Sequence, residues 1–177
     1  MIDFHLAILS AMPQEIGEAT SFLFDKKYFE FGDLKITQGF WEDEINKKRI
    51  LISIAWSGWG KVSSSRAATR LLALGILEKK VDLILFTGVA GAACNSIKQW
   101  DVVLPKYLVQ HDMDARPFFE KYEIPAINSK LIPIQPRYIR WAKESLQDSI
   151  TKKSFLNFLG CIREGVVATG DKFIEDK

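Results

Sequence analysis

The chain alternates short, nearly continuous apolar runs with longer segments whose apolar residues recur every three or four positions. Phe4 to Leu9 is such a run, as expected of a strand buried on both faces. Ser10-Ala11-Met12 and Pro13 follow, and proline suits the first turn of a helix. Glu15, Ile16, Ala19, Phe22 and Leu23 then recur at helical spacing and predict a helix to about Phe24. Tyr28 to Phe31 and Leu34 to Trp41 predict two strands joined at Gly32-Asp33, a hairpin turn. Asp43 to Lys48 is a polar turn before Arg49 to Trp56, another buried-strand pattern. Ser57-Gly58-Trp59-Gly60-Lys61 breaks that strand. Val62 to Leu77 predicts a long helix whose first half is rich in small residues (Ser63, Ser64, Ser65, Ala67, Ala68), a face able to pack closely on a sheet. Val81 to Phe86 predicts a strand ended by Thr87-Gly88-Val89-Ala90-Gly91, and Asp101 to Val109 predicts another. Arg116 to Pro136 is proline-rich and without period, an irregular excursion. Pro136 to Ile150 predicts an amphipathic helix, and Cys161 to Ala168 a strand ending at Thr169-Gly170-Asp171. Strands alternating with helices predict an α/β architecture with a largely parallel sheet. No repeat, low-complexity tract or linker interrupts the pattern, so residues 1–177 are expected to form one domain.

Composition narrows the function classes. Hydrophobic residues make up 47% and charged residues 26%, ordinary for a soluble globular chain with a sizeable core. The net charge of +2 comes from well-mixed acids and bases, which argues against a dedicated nucleic-acid binder. Cys94 and Cys161 have neither paired nor metal-like spacing, so a reduced, cytoplasmic setting is expected. Met1 to His5 has no basic n-region of a secretory signal. The longest apolar stretches, Leu6 to Leu9 and Ile50 to Trp56, are too short to span a bilayer, so no membrane partner is expected.

Three glycine-containing turns follow predicted strands, where α/β sheets bind ligands. Glycine there admits a ligand close to the backbone, although strand-to-helix turns use glycine anyway. Gly58-Trp59-Gly60-Lys61 is not a phosphate-cradling P-loop, because Ala55 and Val62 stand where that motif needs glycine and a hydroxyl residue. Nor is it a dinucleotide fingerprint, since Ser63 replaces the third glycine or alanine. Glu15 sits one turn into a helix, where the helix dipole favours an acid on structural grounds alone. It is also a carboxylate at a strand end. His111-Asp112-Met113-Asp114 matches no metal-ligand set, and His5 is the sole other histidine. It reads as a hydrogen-bonded structural cluster or an interface, and neither metal nor cofactor is expected. Of the five tryptophans, Trp59 stands apart, lying between two glycines where a large ring finds little local packing.

In order along the chain, Ala11-Met12-Pro13-Gln14-Glu15, Ser57-Gly58-Trp59-Gly60-Lys61-Val62, Thr87-Gly88-Val89-Ala90-Gly91, Asp101-Val102-Val103, His111-Asp112-Met113-Asp114 and Thr169-Gly170-Asp171-Lys172-Phe173-Ile174 resemble the motifs of methylthioadenosine/S-adenosylhomocysteine nucleosidases. These form a branch of the purine nucleoside phosphorylase superfamily. The resemblance implies a three-layer α/β/α sandwich around a twisted mixed central sheet, usually a homodimer. It implies a small-molecule purine nucleoside as partner and irreversible hydrolysis of its N-glycosidic bond, releasing adenine. Such a reaction passes through an oxocarbenium-like state that needs an activated water on one face and protonation of the base on the other. By resemblance, Glu15 activates the water and Met12 contacts the ribose. Val89, Ala90 and Gly91 line the site, and Phe173 and Ile174 hold adenine. Trp59 and Phe118 border the 5′-alkylthio group, with Phe118 reaching in from a neighbouring subunit.

Val89 departs from the family's usual hydroxyl residue and Trp59 from a smaller aliphatic. The family's ribose-gripping Glu, water-side Arg and base-protonating Asp align past residue 177, so the chain taken alone is expected to be inactive or nearly so. Three other functions stay open. A phosphorylase would want arginines at the phosphate, and none lies in the turns at 10–15, 57–61 or 87–91. The other two are a futalosine-type nucleosidase and a non-catalytic purine-binding remnant of the fold.

Overall fold

The computed structural model describes residues 4–43, 47–75, 79–152 and 156–175. The chain forms two compact units, Met1–Ala90 and Gly91–Lys177.

The first unit is built on a five-stranded sheet of order β2-β3-β4-β1-β5. Its strands are β1 (Phe4–Ser10), β2 (Phe24–Phe31), β3 (Leu34–Asp43), β4 (Lys48–Trp56) and β5 (Leu83–Phe86). β1 lies between β4 and β5 and runs parallel to both, whereas β2-β3 and β3-β4 are antiparallel. The hairpin turns at Gly32-Asp33 as the sequence predicts, with Phe31 facing Leu34. Helix α2 (Lys61–Gly75) buries Ala67, Leu71 and Leu74, one stripe at helical spacing, on a core of Ala7, Leu9, Leu34, Ile36 and Ala55. The predicted end of this helix at Leu77 lies outside the described residues.

Alternation within the strands also brings polar side chains inside. His5, Gln38 and Ser53 are buried on β1, β3 and β4. His5 Nδ1 lies 2.7 Å from the Lys79 carbonyl, which can only accept, so that nitrogen donates. His5 Nε2 meets Ser53 Oγ at 2.9 Å, and Gln38 Nε2 donates to the same hydroxyl at 3.0 Å. A buried polar chain of this kind is tolerated because its members satisfy one another.

The helix predicted from Pro13 to about Phe24 is much shorter. Helix α1 covers Pro13–Ile16 and ends at Gly17, whose φ of +55° leaves the helical region. A 3₁₀ turn covers Ala19–Phe22, and β2 already begins at Phe24. The helical spacing of Ala19, Phe22 and Leu23 is coincidental: Leu23 is buried, whereas Phe22 is 71% exposed.

The second unit holds a three-stranded mixed sheet of order β7-β6-β8. β6 (Val102–Gln110) pairs parallel with β8 (Ile162–Thr169) and antiparallel with the short β7 (Ile132–Pro133). Helix α3 (Pro136–Lys152) packs on β6, and Ile139, Ala142 and Leu146 are half-buried along it at helical spacing. The irregular stretch from Arg116 to Pro136 contains only a 3₁₀ turn (Pro125–Ile127) and β7 as regular structure. Asp101, its side chain 3% exposed, organises the start of this sheet. It accepts the N–H of Lys98 (3.0 Å), the N–H of Cys161 (2.8 Å) and Nε of Arg163 (2.6 Å). Those donors hold its carboxyl down at about 2. The chain thus has the α/β class that the pattern predicts, with the mixed pairing that the resemblance implies in place of a largely parallel sheet, since β2-β3, β3-β4 and β6-β7 are antiparallel. No helix among the described residues is long and apolar enough to cross a membrane.

Candidate functional site

Because β4, β1 and β5 run parallel side by side, the turns after them emerge along one edge. Backbone bonds carry the pairing past the strand ends. Ser57 N–H donates to the Ser10 carbonyl (2.8 Å), Gly58 N–H to that of Ala11 (3.0 Å) and Thr87 N–H to that of Leu9 (3.0 Å). Residues 10–15, 57–61 and 87–90 therefore share the carboxyl edge, the position at which α/β sheets take ligands.

Glu15 is the centre of that edge. It is the third residue of α1, and its side chain turns back to accept the N–H of Met12 on Oε2 at 3.0 Å, the carboxylate half of a capping box. Oε2 also accepts the N–H of Ala11 at 2.9 Å, and Oε1 accepts the N–H of Val89 at 2.9 Å. One half-buried carboxylate thus ties the turn after β1 to the turn after β5. Gly88 makes room for it, since a Cβ there would stand 2.7 Å from Oε1. Three donors occupy three of about four acceptor directions on a carboxylate, which leaves one on Oε1.

Of the residues chosen from sequence, Met12, Glu15, Trp59, Val89 and Ala90 lie on this edge of the first unit. Trp59 and Val89 present side chains 77% and 81% exposed. Val89 meets Glu15 through its N–H, a contact that any residue but proline can make. Gly91, Phe118, Phe173 and Ile174 belong to the second unit. Phe118 is 87% exposed in the excursion, and Phe173 and Ile174 follow the turn at the end of β8, both exposed. The cluster at 111–114 is hydrogen-bonded, as one of its two sequence readings holds. Asp112 Oδ2 accepts the N–H of Asp171, and Asp114 accepts Nε of Arg116. Among the described residues no group of His, Cys, Asp and Glu is arranged to hold a metal. Ala11 and Gly88 are the contributors that the sequence reading missed. The signal for Gly88, a glycine directly after a predicted strand, was legible only as a turn. A separate cleft of about 530 Å³ in the second unit is lined by Lys106, Tyr107, Ile139, Arg140, Lys143 and Glu164, and it holds none of the chosen residues.

The family model described as the phosphorylase superfamily matches residues 5–177. The chain belongs to the phosphorylase superfamily. Within it, the chain is 28% identical over 170 residues to the 5′-methylthioadenosine/S-adenosylhomocysteine nucleosidase of Haemophilus ducreyi, covering 96% of this chain and 65% of that protein. It is 30% identical over 173 residues to the aminodeoxyfutalosine nucleosidase of Helicobacter pylori, covering 97% and 67%. Among solved structures, a Colwellia psychrerythraea 5′-methylthioadenosine/S-adenosylhomocysteine nucleosidase in complex with adenine superposes with a TM-score of 0.79 at 24% identity. That match covers 98% of this chain and 65% of the other, and at such identity it establishes the superfamily fold alone. The chain spans about two thirds of the length of the relatives it matches.

Proposed function

We propose that this chain acts in hydrolysis of the N-glycosidic bond of a 5′-thioether adenine nucleoside, methylthioadenosine or S-adenosylhomocysteine, with Glu15 orienting the water. The observation that carries the reading is the Glu15 carboxylate at the carboxyl edge of β1, fixed by three backbone donors and with one acceptor direction remaining. A water donating to Oε1 is polarised for attack on the anomeric carbon. The C–N bond then breaks and its electron pair passes to the adenine ring, a nitrogen of which takes a proton from solvent, while the water oxygen bonds the anomeric carbon and gives its proton to Glu15. Met12 contacts the ribose, and Val89, Ala90 and Gly91 border the sugar and base. Phe173 and Ile174 hold the base, and Trp59 bounds the 5′ group together with a Phe118 that reaches in from a neighbouring subunit. The relatives named above, nucleosidases by name, support hydrolysis. The arginine-free turns support water over phosphate as the nucleophile.

The reading includes a homodimer, supported by Phe118 and Phe119 on the exposed excursion. It includes a cytoplasmic setting, supported by two free thiols. A second substrate, aminodeoxyfutalosine, is favoured by the 30% identity to the Helicobacter pylori protein of that name. The test is adenine binding by this chain and adenine formation from the three nucleosides, with and without phosphate. Expected are binding that Phe173→Ala weakens and phosphate-independent formation, however slow, that Glu15→Gln lowers by about 10²–10⁴-fold. Formation that requires phosphate, or no affinity for adenine or any of these nucleosides, overturns the reading.

A further inference from the structure

The ends of β6 and β8 stay connected beyond their last ladder pair, Gln110 with Thr169. His111 N–H donates to the Thr169 carbonyl at 3.0 Å. At the next step a side chain takes over as acceptor: the Asp171 N–H donates to Asp112 Oδ2 at 2.7 Å. Gly170 lies beneath the two side chains. A Cβ there would stand 2.5 Å from His111 Nε2 and 2.8 Å from Asp112 Cγ, so a histidine and a carboxylate close over a turn that admits no side chain of its own. Two residues on, Phe173 and Ile174 are 82% and 59% exposed. Exposed side chains of this size have little packing to fix them, so the anchored backbone just before them, which includes the Asp171 N–H, helps set their position.

We propose that Asp112 is a positioning residue for the purine. Its carboxylate fixes the turn at 169–171 and so sets where Phe173 and Ile174 meet the base. The inference rests on the reading above, which gives those two residues to adenine, and it places in the site's support a side chain that no role in that reading covers. A purely structural Asp112 would alter unfolding and leave the affinity of folded protein unchanged.

The test is calorimetric titration of adenine into the parent chain, Asp112→Ala, Asp112→Asn and Gly170→Ala, at a temperature where each is folded by circular dichroism. Exchange of the Asp171 amide is followed in parallel. Asp112→Ala and Gly170→Ala are expected to weaken adenine about tenfold, the size of one lost hydrogen bond to a charged group. Both should speed Asp171 exchange. Asp112→Asn retains an acceptor and is expected to stay within about threefold of the parent. If Asp112→Ala does not fold, the other two variants decide. Parent-like binding by Asp112→Ala and Gly170→Ala overturns the inference, as does an Asp112→Asn as weak as Asp112→Ala. No adenine binding by the parent overturns the nucleosidase reading itself, and unchanged Asp171 exchange in Asp112→Ala separately overturns the clamp.

Discussion

Replacing Gly88 with alanine would push a methyl group into the Glu15 carboxylate. The new Cβ would stand 2.7 Å from Oε1, 3.0 Å from Cδ and 3.2 Å from Oε2, where ordinary contact begins at 3.4 Å. The backbone itself is no obstacle, since Gly88 is not among the positive-φ glycines. The carboxylate must therefore retreat by about 0.7 Å. Retreat along the line from Val89 lengthens that hydrogen bond from 2.9 Å to about 3.6 Å, past the range in which it counts as one. A hydrogen bond to a charged group is worth about 1.5–3 kcal/mol, and the exposed Val89 N–H places this one at or below the low end. The expected loss is about 1–1.5 kcal/mol, a fall in melting temperature of roughly 2–6 °C for a chain of this length. Unfolding followed by tryptophan fluorescence, with Trp41, Trp56 and Trp59 in this unit, reads it. The decisive measurement is a double-mutant cycle with Glu15→Ala. With the carboxylate gone, Gly88→Ala should cost less than about 0.5 kcal/mol, the limit of simple additivity. An equal cost in both backgrounds would refute the argument, because Gly88 would then be needed for something other than Glu15.

Ser53→Ala removes the hydroxyl shared by His5 Nε2 and Gln38 Nε2 and should cost about 1–3 kcal/mol; an unchanged urea midpoint would show that those bonds contribute nothing. Asp101, held at about 2 against an ordinary 3.8, contributes stability that is fully present above pH 4 and lost as the pH falls toward 2. Asp101→Asn should flatten the unfolding midpoint across that window, and an unaltered pH profile would contradict the assignment. Trp59→Ile should shift binding preference from methylthioadenosine toward the longer S-adenosylhomocysteine by about 1–3 kcal/mol; an unmoved affinity ratio would remove Trp59 from the 5′ pocket. Phe118→Asp should weaken self-association measured by light scattering, and a parent chain that is strictly monomeric at high concentration would remove the interface.

Strands were legible where a pattern local to the chain determines them. The apolar runs that became β1, β4, β6 and β8 were read within a residue or so, and Gly32-Asp33 marked its hairpin. The region from Pro13 to Phe24 was misread because spacing alone cannot tell a helix from a helical turn, a glycine break and a 3₁₀ turn. Glu15 was legible as a strand-end carboxylate, but its hold on Val89 was not, since β1–β5 pairing makes neighbours of residues 74 positions apart. Asp101 was legible as the start of a strand and as part of a motif, but its bonds were not, since its partners Cys161 and Arg163 come from β8 and the residue before it. For Glu15 and Asp101 the missed information lay in pairing across the sheet.

The position of β1 between β4 and β5 also orders events in time. β1 is made first, yet its parallel partners lie roughly 46 and 77 residues later, so two large loops must close before the centre of the sheet is formed. Folding dominated by such distant pairings is slow, and the last contact to become available is the one from Val89. Until β5 has docked, Glu15 has only the donors of its own turn, Ala11 and Met12. The third bond therefore closes late, and protection of the Val89 amide should appear with completion of the first unit and not with its early hairpin.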